Sequence, residues 1–137
     1  MAWDCPECGR RFARRGQGHE CSPAMALDEY FSTGPPHERP VFDAIMAHVG
    51  TLGPVHVEPV SVGIFLKRAQ SFAELRPRQA WVAVMFSLPR VARHRTITRK
   101  VQQWGGRWYH VANVRSPDDV DDDLRDLLTE AYLAAPE

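Results

Sequence analysis

Gln79-Ala80-Trp81-Val82-Ala83-Val84-Met85-Phe86-Ser87-Leu88 is the most strand-like stretch of the chain. Valine and aromatic residues crowd it, and these fit a pleated, half-buried surface. Pro89 stops it, because proline has no N–H to give a sheet ladder. Strand signals continue on both sides. Upstream, Val55 to Pro59 alternates, with Val55 and Val57 on one face and His56 and Glu58 on the other. Val62 to Leu66 is a short apolar strand, and Ser71 to Arg76 is another before a turn at Pro77. Downstream, Thr96 to Trp104 reads as a strand on its β-branched Thr96, Ile97, Thr98 and Val101. Gly105-Gly106 is a hairpin signal, and Arg107 to Val114 is the returning strand. Consecutive strands joined by short turns pair antiparallel.

Helical patterns flank this run. Ala24 to Phe31 is a short helix with Ser22 as its N-cap and Pro23 at its first position. From about Pro36 to Val49, Val41, Phe42, Ile45, Met46 and Val49 recur at helical spacing, and Gly50 and Gly53-Pro54 end the pattern. Ser116-Pro117-Asp118-Asp119 opens the last helix, whose apolar stripe is Val120, Leu124, Leu127, Leu128, Ala131 and Tyr132. The expected fold class is α+β. An antiparallel sheet of five or six strands carries helices on one face and leaves the other partly open. No apolar run approaches the ~20 residues of a membrane span. Met1-Ala2-Trp3-Asp4 does not read as a secretory signal. The chain is therefore expected in the cytoplasm, with no membrane partner.

A separate chemistry occupies the first 21 residues. All three cysteines lie there, at Cys5, Cys8 and Cys21, with His19 two residues before the last. The spacing C-x2-C-x10-H-x1-C gives four ligands for one tetrahedral Zn²⁺, the filled set that a structural site needs. Pro6 and Gly9 favour a tight turn between the thiolates. Three thiolates and Zn²⁺ sum to one negative charge, which Arg10, Arg11, Arg14 and Arg15 would offset. A disulfide leaves one odd thiol, and a redox C-x-x-C calls for a βαβ context that is missing here. Residues 1–24 thus read as a zinc knuckle and 25–137 as the α+β body. Too small to fold unaided, the knuckle draws its folding energy from the metal, whereas the body is expected to stand on its own core.

Formal net charge is zero, but its distribution is uneven. Residues 67–115 hold eleven Lys and Arg against Glu74 alone, and residues 116–137 hold eight acids against Arg125. In the basic segment Arg90, Arg93, Arg95, Arg99, Lys100 and Arg107 accompany Trp104, Trp108 and Tyr109. Cations attract phosphate and exposed aromatic faces stack on bases, so these six are the candidate anion or nucleic-acid contacts, with DNA or RNA as partner. Against this, the acidic last helix is placed to neutralise part of the basic sheet. Two further readings stand beside it. One is an adaptor that binds a small anion or a protein. The other is a hydrolase or nuclease with His56, Glu58, Glu74, His94 and His110 as candidates, of which Glu58 and His56 share a strand face and could meet His110 across the sheet. No Gly-rich phosphate loop, G-x-S-x-G or H-E-x-x-H supports catalysis, and no catalytic residue is assigned. The run Asp118 to Asp123 reads as acids complementing a helix N-terminus, not as a Ca²⁺ or Mg²⁺ site.

Two resemblances follow from these motifs. Cys5 to Phe12, as C-P-x-C-G-R-x-F, resembles the opening of a Cys2His2 finger. Gly16, Gly18 and the closing H-x-C depart from that pattern, so the knuckle carries over and a DNA-reading helix does not. Leu52 to Val60 (L-G-P-V-H-V-E-P-V), Ser116 to Leu124 (S-P-D-D-V-D-D-D-L) and Ala131-Tyr132 resemble the bacterial family called domain of unknown function 5655 over about residues 27–134. That likeness implies no activity and no catalytic residue.

Overall fold

In the computed structural model, residues 2–135 are described, so Glu137 of the acidic tail lies outside the described residues. Two very short strands, β1 (Trp3–Asp4) and β2 (Arg11–Phe12), pair antiparallel and form the stem of an N-terminal hook. The body follows as α1 (Leu27–Ser32), α2 (Glu38–Val49), β3 (His56–Val60), β4 (Gly63–Lys67), β5 (Ser71–Pro77), β6 (Val82–Leu88), β7 (Gln102–Trp104), β8 (Arg107–Val114) and α3 (Asp122–Ala134). The six body strands form one antiparallel sheet in the order β3-β4-β5-β6-β8-β7. The expected α+β class with a six-stranded antiparallel sheet is therefore the observed one.

Alternation along the strands sorts the two faces. Leu66, Ala73, Phe86 and His110 lie in register across one face, as do Ile64, Leu75, Val84 and Ala112. These residues pack with Val41, Phe42, Ile45 and Val49 of α2 and Leu124, Leu128 and Tyr132 of α3 in a single core. The opposite face carries Glu58, Phe65, Glu74, Met85, Tyr109 and Arg107 by the same register. The hook covers the β3–β4 end of that second face.

Two motif stretches meet at the far end of α3. The Tyr132 hydroxyl donates to the Pro54 carbonyl at 3.1 Å. Gly53 sits at φ +148°, where a Cβ would lie 2.5 Å from that hydroxyl. Only glycine fits both the torsion and the contact.

Several boundaries differ from expectation for identifiable reasons. Residues 22–26 are not helical: the Met25 N–H donates to the Pro59 carbonyl, so this segment runs along the outer edge of β3, and α1 begins after Ala26. Strand β6 starts at Val82 and not Gln79, because the Arg78 N–H closes a turn on the Trp81 carbonyl. The expected strand Thr96 to Trp104 shrinks to Gln102–Trp104. His94 takes the Thr96 N–H on Nδ1, and the Ile97 N–H closes a turn on the His94 carbonyl, so local bonds displace the ladder. Ser116 precedes only a single 3₁₀ turn at Pro117–Asp119. The cap of α3 proper is Asp121, whose carboxylate accepts the Leu124 N–H at 2.9 Å.

Candidate metal centre and the buried carboxylate beneath it

The hook turns on Gly9, at φ +74°, whose N–H donates to the Cys5 carbonyl. That turn and the β1–β2 stem bring Cys5, Cys8, His19 and Cys21 together, with all four ligand atoms within 4.8 Å of one another. Cys5 Sγ lies 3.7 Å from Cys21 Sγ, and Cys8 Sγ lies 3.4 Å from His19 Nε2. A zinc tetrahedron with bonds of about 2.3 Å to sulfur and about 2.0–2.1 Å to nitrogen has edges of about 3.7 and 3.5 Å. These two edges match, and 3.7 Å is far beyond the ~2.05 Å of a disulfide. The imidazole is aimed as well. Its Nδ1 hydrogen-bonds the Gln17 carbonyl at 2.7 Å, which leaves the Nε2 lone pair pointing into the cluster. Phe12 stacks on His19 with centroids 3.9 Å apart, and Trp3 packs against both rings.

Charge also calls for a cation. The Cys8 N–H lowers the Cys5 thiol to about 6, while hydrogen bonding to Cys5, aided by burial, raises Cys21 to about 12. Sulfurs this close cannot all ionise together unless a positive ion lies between them. The donor set, the edge lengths and this conflict fit a divalent metal.

The arginines around the cluster do not all face it. Arg11 pairs with Asp4, and Arg14 and Arg15 are exposed. Arg10 points into the body. Its Nε donates to Glu58 Oε1 at 2.9 Å, where Lys67 Nζ also arrives at 2.9 Å. On Oε2 the Arg11 backbone N–H donates at 2.7 Å and His56 Nε2 lies at 2.8 Å. Glu58 is fully buried, while Arg10 and Lys67 keep only 8% and 5% of their surface. Lys67 Nζ also donates to the Arg11 carbonyl at 2.7 Å. Phe12 of the hook and Phe65 of the sheet sandwich both cations, with Lys67 Nζ 4.4 Å from the Phe12 centroid. Burial pushes the Glu58 pKa up, but the Arg11 N–H, Lys67 and Arg10 outweigh it and hold the carboxyl below its ordinary 4.5. Two buried cations thus face one carboxylate. A divalent metal bound by the three thiolates would carry one negative charge and would bring this local sum to zero.

The sequence candidates for catalysis separate in space. Glu58 and His56 do meet, yet all four lone-pair positions of the carboxylate are taken. Glu74 pairs with Arg76, and His94 bridges Thr96 and Asp121. His110 lies on the helix side of the sheet, stacked on Phe86, so it cannot join Glu58 across the open face. Its Nε2 accepts the Ala92 N–H at 3.0 Å and its Nδ1–H donates to the Trp108 carbonyl. Burial pushes its pKa below the ordinary 6.5. The unfolded chain then takes up a proton that the native chain refuses. Stability should therefore be flat above about pH 6.5 and decline below it, by at most about 1.4 kcal/mol per pH unit. His110→Gln should flatten this step in denaturant titrations at about pH 7.5 and about pH 5.5; an equal acid loss in both proteins contradicts the assignment.

The six basic candidates also divide. Arg90 forms a two-pronged pair with Glu130 of α3, at 2.7 and 3.0 Å. Arg95 binds Asp119 at 2.7 Å and reaches Asp121. Arg107 donates to Ser87 and to the Ala134 carbonyl, all neutral partners. Arg93, Arg99 and Lys100 are exposed and form no ion pair among the described residues. Asp119 and Asp121 are engaged by backbone N–H groups and by Arg95 and His94, which accounts for their lowered pKa values without a metal.

Glu58 as the centre of the hook–body junction was missed from sequence. The one available signal was a lone acid in the otherwise uncharged strand segment Val57-Glu58-Pro59-Val60, with cations elsewhere in the chain at Arg10 and Lys67.

Comparison with known proteins gives a family model described as "Domain of unknown function (DUF5655)", matching residues 27–135. No curated protein and no solved structure matches the chain.

Proposed function

The chain belongs to the DUF5655 family, whose description carries no activity, and from the chain's own residues we propose a zinc-stapled binding module for an anionic macromolecule, nucleic acid foremost. Zn²⁺ held by Cys5, Cys8, His19 and Cys21 is structural: four protein ligands leave no open position for substrate. The single observation that carries the reading is the convergence of those four ligands directly above the buried Glu58 network. The metal keeps Arg10, Arg11 and Phe12 on the sheet, and Arg10 keeps Glu58 neutralised. Zinc is favoured over other cations because thiolate and imidazole donors in a closed tetrahedron suit it.

The nucleic-acid part rests on charge and exposure. Arg93, Arg99 and Lys100 remain available among the described residues after Glu130 of α3 has claimed Arg90 and Asp119, in the turn before α3, has claimed Arg95. Among the described residues no helix is long and apolar enough to cross a membrane. One zinc per chain by elemental analysis, together with binding to nucleic acid that weakens steeply between about 50 and about 200 mM salt, is the expected result. A protein that carries no transition metal when prepared reduced contradicts the zinc assignment. Absence of salt-sensitive binding to DNA and RNA contradicts the partner.

A further inference from the structure

The sheet face opposite the helices is only partly covered by the hook. Beyond it lies a groove of about 410 Å³ lined by Gln17, Phe65, Met85, Ser87, Arg107 and Tyr109. The register places Trp104 on the same face, paired with Arg107 next to the line of Tyr109 and Gln102. Trp104 is 77% exposed and Tyr109 39% exposed. Trp104 stands at the tip of the β7–β8 hairpin, where Gly105 and Gly106 both take the positive φ that a tight two-residue turn requires. Arg107, at the groove wall, donates to Ser87 and the Ala134 carbonyl and has no acidic partner among the described residues. Arg99 and Lys100, which form no ion pair among the described residues, lie just before β7 with Val101 between.

Resting on the nucleic-acid reading above, we infer that single-stranded nucleic acid lies across this open face, with bases stacked on Tyr109 and Trp104 and phosphates met by Arg99, Lys100 and Arg107. Exposed aromatic rings on an antiparallel sheet offer flat platforms that accept any base, and cations beside them follow the backbone. A duplex hides its base faces and so cannot use the platforms. An acidic peptide would share the cations but gains little from the sheet edge. β7 is the edge strand with only three residues, too short to hold an added strand.

The test is fluorescence anisotropy of the full, zinc-loaded chain with labelled single strands of about 12 nucleotides, the matching duplex, and an oligo-glutamate peptide, at about 50 and about 200 mM salt. Single strands are expected to bind more tightly than duplex and to quench tryptophan emission. Trp104→Ala and Tyr109→Ala should each weaken binding roughly 5- to 150-fold. Arg99→Ala and Lys100→Ala should each lower the salt slope by about 0.7. Trp104 and Arg99 are exposed, so unchanged melting of these variants serves as the folding control. Binding that survives in Trp104→Ala and Tyr109→Ala, or that is tighter to duplex, overturns this site while leaving nucleic-acid binding standing. Trp104-dependent binding of oligo-glutamate alone overturns the ligand class. No binding to any of the three probes ends both readings.

Discussion

Glu58→Ala is expected to destabilise the folded chain by about 3–5 kcal/mol, the cost of removing one partner from a buried charged network. The substitution leaves Arg10 and Lys67 inside the protein, nearly without solvent and without a counter-charge. It also removes the acceptor for the Arg11 N–H, a third, part-buried group that loses its partner. The loss should appear as a drop in melting temperature of roughly 3–5 °C per kcal/mol at this chain length. Glu58→Gln keeps the shape and one acceptor oxygen but loses the charge and turns an NH2 toward other donors, so it should fall between wild type and alanine. The pH dependence has a fixed sign. The native pKa lies below the ordinary 4.5, so the carboxylate's contribution is complete above about pH 4.5 and is lost as pH falls through the native value. If Glu58→Ala melts with wild type, the carboxylate does not hold the hook to the body.

Cys8→Ser carries the second large effect. The hook's own core is Cys5, Cys8, Phe12 and the half-buried Trp3, far too little to fold unaided. In small zinc fingers the metal contributes about 10–16 kcal/mol of apparent binding energy, and folding consumes it. Without a complete ligand set, Cys8→Ser should release its zinc and free residues 2–21 for rapid proteolysis. The body should respond too, because Arg10 and Arg11 withdraw from Glu58 when the hook opens. A lowered melting temperature of the main transition, together with lost zinc, is the expected pair of results. From the sequence alone the body was expected to stand without the hook. The shared carboxylate ties them together, so an unshifted main transition in Cys8→Ser would return to the simpler picture.

Much of the architecture was legible because it is local. Strand alternation around Val82 to Leu88, the stripe on α3 and the ligand spacing of the hook each express a short-range period. What was illegible is what covers each face. His56 and Glu58 were correctly put on one face of β3, yet alternation cannot say that Arg10 and Arg11, 48 and 47 residues away, close over them. The basic segment shows the same limit. Charge summed along the chain made six cations equivalent, but Glu130 of α3 takes Arg90, and Asp119 and Asp121 just before α3 take Arg95, which leaves Arg93, Arg99 and Lys100 with no ion pair among the described residues. Thr96 to Val101 failed as a strand for a related reason. Its β-branched residues favour extended backbone, but His94, anchored by Asp121 on another element, draws the Thr96 N–H into a turn.

Hydrogen exchange at the Arg11 amide tests the central claim most directly, because that backbone N–H runs from the hook to the buried carboxylate. With one zinc bound, the amide should be strongly protected, although β2 is only two residues long. Chelation should bring it to near-unprotected exchange while the β6 and β8 amides stay slow. Equal protection of Arg11 with and without metal would contradict the account.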